Sequence, residues 1–240
     1  MKQMIQIVVA VLIFVSLVLY STFPASAAPA VYTDSSAALQ DAELPPDIFD
    51  DECDGGSTCP GRIFLDMPVA GHWSHVPIDW ALTHHITSGT SAYTFSPGRE
   101  CTRAQAVTFL WRANGSPEPE TLDCPFQDVP ETAYYYKAVL WAIEKQITTG
   151  TTATTFSPGQ ICTRAQIVTF LWRAKGSPSV SNMTEPFPFQ DVGARAYYRN
   201  AIVWAISSGV TGGTSATTFS PSKACTRAQI VTFLYKANHG

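Results

Sequence analysis

The sequence predicts a mainly all-α protein: three tandem helix–loop–helix repeats packed as a pseudo-threefold trimer within one chain. Two observations predict it. The string Cys-Thr-Arg-Ala-Gln occurs three times, at Cys101, Cys162 and Cys225, in steps of 61 and 63 residues. The same steps carry Trp80 to Trp141 to Trp204 and Phe95 to Phe156 to Phe219, and self-similarity at a fixed period marks a repeat architecture. The second observation is size. One such unit is too small to bury its apolar surface alone, so three must pack together rather than string out as beads.

The chain opens with one positive charge, Lys2, followed by an almost wholly apolar stretch from Met4 to Tyr20, Pro24 and the small residues Ala25-Ser26-Ala27. This is the layout of a secretory signal peptide over residues 1–27, cleaved after Ala27. The alternative is an uncleaved signal anchor, since the apolar stretch is near the lower limit for spanning a bilayer. Both readings place the body outside the cytoplasm. Residues 28–60 hold eight acids and no Lys or Arg, and with their Pro and Gly they read as an acidic linker. The remaining residues carry 11 acids against 14 bases, a net charge of +3. That is too weak for a nucleic-acid footprint, which needs clustered Lys and Arg on one face. It permits an anionic partner held by a few placed cations.

The repeats span 61–117, 124–178 and 187–240. Each opens on an F-x-D string: Phe64-Leu65-Asp66, Phe126-Gln127-Asp128 and Phe189-Gln190-Asp191. In the second unit a first helix is expected near Tyr134 to Lys145, with Ala138, Val139, Trp141 and Ala142 on its apolar side. In the first unit Pro77 takes the place of Ala138 and is tolerable only within a first turn, so that helix is expected to start later. A Thr-, Ser- and Gly-rich loop follows, with Phe156 and Pro158 pinning it to the core. The second helix starts at the Thr of the five-residue string, runs about ten residues and is buried on most sides.

Within the string, Thr102, Thr163 and Thr226 precede Gln105, Gln166 and Gln229 by three residues. S/T-x-x-E/Q is the capping box, in which the Thr hydroxyl takes the N3 amide and the Gln reaches back to the cap amide. Capping does not account for Arg103, Arg164 and Arg227, because a cation in the first helical turn faces the positive end of the helix dipole. A helix N-terminus beside a guanidinium is a candidate anion site. The alternative is that each Arg pairs with a nearby acid, such as the Asp of F-x-D.

With these motifs the units resemble S-layer homology domains. That family shows F-x-D-V near the start, a G-[TY]-x-x-x-x-F-x-P loop and a T-R-A-E motif opening the next helix. Here they stand as FQDV at 126 and 189 and FLDM at 64, as GTSAYTFSP, GTTATTFSP and GTSATTFSP, and as TRAQ three times. The match spans about 62 to 238. The resemblance implies non-covalent attachment to secondary cell-wall polymers linked to peptidoglycan, commonly pyruvylated glycans, in grooves between units. It maps the ligand-contacting Arg onto Arg103, Arg164 and Arg227, and the loop Gly and Thr onto Gly89 and Thr90, Gly150 and Thr151, Gly213 and Thr214. Trp73, Tyr134 and Tyr197 are expected to stack on sugars. The implied location is secreted and cell-wall or S-layer associated, as in Gram-positive envelopes, with no membrane contact after signal cleavage. One departure stands out: Gln replaces the motif Glu in all three copies, which makes each groove more electropositive.

Six Cys in an exported chain suggest disulfides. Cys53 and Cys59 could close a local loop, and Cys124 could reach Cys101. The three motif Cys could equally pack as buried thiols. Neither C-x-x-C nor H-x-x-x-H spacing is present, so no metal and no cofactor is expected. His72, His75, His84 and His85 occur in the first unit alone and are expected to line a surface. Paired acids suited to glycosidase chemistry do not recur, and there is no G-x-S-x-G elbow or phosphate loop, so no enzyme is expected. The rival to glycan binding is an envelope protein whose repeats mediate protein–protein assembly.

Overall fold

The structure is a computed structural model and describes residues 58–180 and 187–240. All that follows concerns these described residues. The expected signal peptide at 1–27, most of the acidic linker and Cys53 lie outside the described residues.

Six α-helices occur among the described residues, two per repeat: α1 His75–Thr83, α2 Arg103–Ala113, α3 Tyr136–Glu144, α4 Arg164–Ala174, α5 Arg199–Ser207 and α6 Arg227–His239. Isolated bridges occur, but no strand forms there. α1 and α3 begin at equivalent positions, so Pro77 does not delay the helix as expected. It sits third in α1, where its missing N–H would have had no partner, and Ile78 makes the first amide bond back to Ser74 at 3.0 Å.

The second helices α2, α4 and α6 meet one another in the centre, while each first helix packs on the second helix of the preceding repeat: α3 on α2, α5 on α4, and α1 back on α6. That last contact closes the ring. The closure is written in the backbone. The Cys101 amide donates to the Cys225 carbonyl (3.0 Å), Cys162 to Cys101 (2.8 Å) and Cys225 to Cys162 (3.0 Å). Each motif Cys is fully buried and a free thiol. Cys101 and Cys124 are therefore not bridged, contrary to one expectation. On the described side of the expected Cys53 loop, Cys59 is disulfide-bonded.

Each loop is fixed by its own repeat's F-x-D acid. Asp66 accepts the amides of Phe95 (2.7 Å) and Ser96 (2.8 Å), and Asp128 and Asp191 do the same for Phe156–Ser157 and Phe219–Ser220. The serines need this help, since Ser96, Ser157 and Ser220 lie at φ of 58–59°, where non-glycine residues are strained. The loop phenylalanines Phe95, Phe156 and Phe219 are wholly buried.

Candidate functional site: the grooves between repeats

All three capping boxes form: each Thr hydroxyl accepts the amide of the Gln three residues on, and each Gln side chain accepts the cap amide. The two amides ahead of that Gln are also taken. Arg103 N–H donates to the Gln160 carbonyl (2.8 Å) and Ala104 N–H to Pro158 (3.1 Å), with Arg164–Lys223, Ala165–Pro221, Arg227–Arg99 and Ala228–Pro97 repeating the pattern. The helix N-termini are thus spent on the loop of the next repeat. The idea that their free amides cradle an anion is corrected here: the neighbouring repeat already supplies the oxygens.

The guanidinium groups cross the same boundary. Arg103 Nε donates to the Phe156 carbonyl (3.0 Å), Arg164 Nε to Phe219 (3.0 Å) and Arg227 Nε to Phe95 (2.8 Å). Each lies over the ring of that phenylalanine at 4.7–4.8 Å, a stacked geometry that an Arg fork suits and a Lys does not. The three residues are only 2–4% exposed. Burial pulls the Arg103 and Arg164 pKa down from its usual value, yet Arg stays protonated in proteins. Of the alternative pairing with the F-x-D acid, Arg103 and Arg164 show no direct ion pair among the described residues: Asp128 and Asp191 spend their carboxylates on loop amides and act on Arg103 and Arg164 only through their charge.

The grooves differ in how the second guanidinium nitrogen is met. Arg227 Nη2 donates to Thr87 Oγ1 at 2.9 Å, and Arg164 Nη2 donates to the Gly212 carbonyl at 3.0 Å. Arg103 Nη2 is buried and has no partner. Thr148, the counterpart of Thr87, accepts the Gly150 amide at 3.2 Å as Thr87 accepts that of Gly89 at 3.4 Å, but takes no bond from Arg103. Tyr197, from the third repeat, lies within electrostatic reach of both Arg103 and Arg173. The Arg103 groove is therefore bounded by all three repeats.

The other expected contacts have local roles. A Cβ on Gly89 or Gly150 would meet the Phe64 or Phe126 ring at 2.7 or 2.5 Å, and both residues have positive φ (92° and 82°). These glycines let the loop close on the F-x-D phenylalanine, and Gly213 has the same crowding at Phe189. Thr90, Thr151 and Thr214 spend their hydroxyls within the loop, each 2.7 Å from the Ser of F-S-P. Trp73, Tyr134 and Tyr197 are exposed.

Of the four first-unit histidines, His72, His84 and His85 are exposed, whereas His75 is buried, against the expectation of a surface. His75 Nδ1 lies 2.6 Å from the Pro68 carbonyl and Nε2 lies 3.3 Å from Asp79 Oδ2. Asp79 Oδ1 accepts the Gly61 amide, and burial raises the Asp79 pKa. The pair fastens the turn Pro60–Ile63 to α1. Cys59, His75 and Asp79 bring potential metal-ligand atoms within 4.8 Å, a grouping that ligand spacing in sequence does not reveal. With Cys59 in a disulfide, its sulfur is no thiolate ligand.

The S-layer homology domain model matches residues 69–107, 125–168 and 188–231, more than half of the chain. An S-layer protein of Bacillus thuringiensis subsp. finitimus is 25% identical over 178 residues, 74% of this chain and 21% of that protein. The S-layer protein sap of Bacillus anthracis matches to the same extent. An endoglucanase of Bacillus sp. (strain KSM-635) is 38% identical over 102 residues, 42% of this chain and 10% of that enzyme. The chain spans about a fifth of the length of the S-layer relatives.

Proposed function

The chain belongs to the S-layer homology domain family, and on that premise we propose that it anchors non-covalently to the cell wall by holding an anionic, pyruvylated secondary polymer in the grooves between repeats. A cell-wall anchoring module is what the family and its S-layer relatives support in general. The anionic ligand is carried by one observation: Arg103 presents a buried, unpartnered Nη2 in a groove bounded by all three repeats. A carboxylate or ketal oxygen would satisfy that donor with a charge-assisted hydrogen bond. Tyr197 supplies an aromatic face beside it, Trp73 and Tyr134 do so at the equivalent places, and the Gly–Thr loops form the groove walls. Arg164 and Arg227 contribute positive field, with their forks already held by the chain. No chemistry is proposed: the module binds, and the protein acts outside the cytoplasm at the wall.

The test is sedimentation with purified sacculi. The protein should pellet with intact sacculi and stay in solution once secondary polymers are stripped. Pelleting that survives stripping overturns the polymer as ligand. Equal affinity for pyruvylated and pyruvate-free fragments overturns the anionic contact. A second reading, assembly with other envelope proteins, is favoured by exposed apolar side chains in the first repeat: Ile63, Leu65 and Val69 are 61–88% exposed. Pelleting that needs wall protein and not glycan would select it.

A further inference from the structure

The connector between the first and second repeats builds a cleft. Tyr136 donates its hydroxyl to the Leu122 carbonyl at 2.5 Å, and Trp111 donates Nε1 to the Pro117 carbonyl at 2.8 Å. These bonds tie the connector to α2 at one end and to the start of α3 at the other. The space left is about 560 Å³, walled by Trp111, Tyr134 and Tyr136 and edged by Asp123 and Glu131. A second hollow of about 410 Å³ adjoins it and shares Asp123, Glu131 and Tyr136. Pockets of this size accept one or two ring-shaped ligand units.

Its chemistry is opposite to that of the arginine grooves. Asp123 and Glu131 are exposed, and among the described residues neither carboxylate makes a hydrogen bond or ion pair. Lys137, the one cation on the lining, is held by Glu118 at 2.8 Å. The cleft therefore offers flat aromatic faces and two unengaged negative charges. In the third repeat the residue equivalent to Tyr136 is Arg199, which lies over the Phe187 ring at 3.8 Å. In the first repeat it is the buried His75. The joint between the first and second repeats combines aromatic walls with carboxylates.

The geometry points to a second binding site here, for a sugar carrying a free protonated amine. The ring would stack on Trp111 and Tyr134, and the ammonium would sit between Asp123 and Glu131. An N-acetylated sugar keeps the ring but has no positive charge, so it loses the interaction that sets this site apart. The site shares Tyr134 with the anionic-polymer reading but no arginine, and its carboxylates take no part in that reading.

The test titrates the full chain with a glucosamine tetramer and, separately, with an N-acetylglucosamine tetramer, following tryptophan fluorescence and heat at slightly acidic pH. The amine tetramer should bind saturably and at least about tenfold tighter than the acetylated one. Asp123→Asn with Glu131→Gln should remove that preference, and both positions are exposed, so helix content and unfolding midpoint should be unchanged. No binding of either tetramer, equal binding of both, or a preference that survives the double substitution overturns the site. Wall sedimentation of the same variant is scored separately, so loss of the amine site and failure of polymer anchoring are read apart.

Discussion

Replacing Arg164 by Ala should destabilise the protein by about 2 kcal/mol more than replacing Arg103 by Ala, although the two residues occupy equivalent places. Arg164→Ala removes two bonds from a charged donor, to the Phe219 and Gly212 carbonyls, and leaves the buried Phe219 oxygen unmet. Arg103→Ala removes one such bond, to Phe156, and also removes the buried unpartnered Nη2. Both lose a similar stack on phenylalanine, at 4.7 Å to the ring centroid. The stacking losses cancel, leaving one hydrogen bond to a charged group, roughly 1.5–3 kcal/mol, as the difference. Relief of the orphaned donor widens it. The assay is urea unfolding followed by tryptophan fluorescence, comparing midpoints at equal slope. If Arg103→Ala costs as much as Arg164→Ala, the three arginines are energetically equivalent, and the reasoning that sets the Arg103 groove apart is wrong. Wall affinity should order the opposite way, with Arg103→Ala losing more than Arg164→Ala.

Three further outcomes follow from the same geometry. Asp128→Asn should cost about 2–4 kcal/mol in thermal or urea unfolding, because the amide can accept only one of the two loop amides and turns a donor toward the other. Thr163→Ala should cost about 1 kcal/mol through loss of the α4 cap, with Thr163→Ser restoring most of it. Burial pushes the Cys101 thiol from its usual 9.0 up to about 11 and Cys225 up to about 12, and raises Cys162 as well. These folded-state values lie above the unfolded ones, so the stability they contribute is fully present below about pH 9 and is lost as pH rises through 11–12. A variant with all three changed to Ala should lack this alkaline loss. In the native protein at neutral pH, thiol labelling should reach Cys124 well before any of the three.

Much of the architecture was legible from residue spacing. The steps of 61 and 63 residues gave three units, and the Thr-x-x-Gln spacing gave three capped helices that begin where expected. Capping is a local interaction between residues three apart, so local sequence suffices to read it. Pro77 misled because it falls third in α1, where a backbone N–H would have had no helical partner, so it does not delay the start. Arg103 stood out because it contradicted local stability. Its reason is a carbonyl 53 residues away in the next repeat, which no local rule contains.

The sequence by itself determined that there are three units, where each second helix starts, and that the arginines need a partner from outside their own helix. Only the tertiary structure decided who that partner is. Closing three units into a ring brings each loop over the next helix N-terminus, so carbonyls of the chain fill the amides that looked free for an anion. It also decided that the three grooves are unequal. Small differences at Thr87, Thr148 and Gly212 set whether each fork is satisfied, and such differences matter only once the repeats are held within hydrogen-bond distance, where a donor excluded from water must find an acceptor or go without.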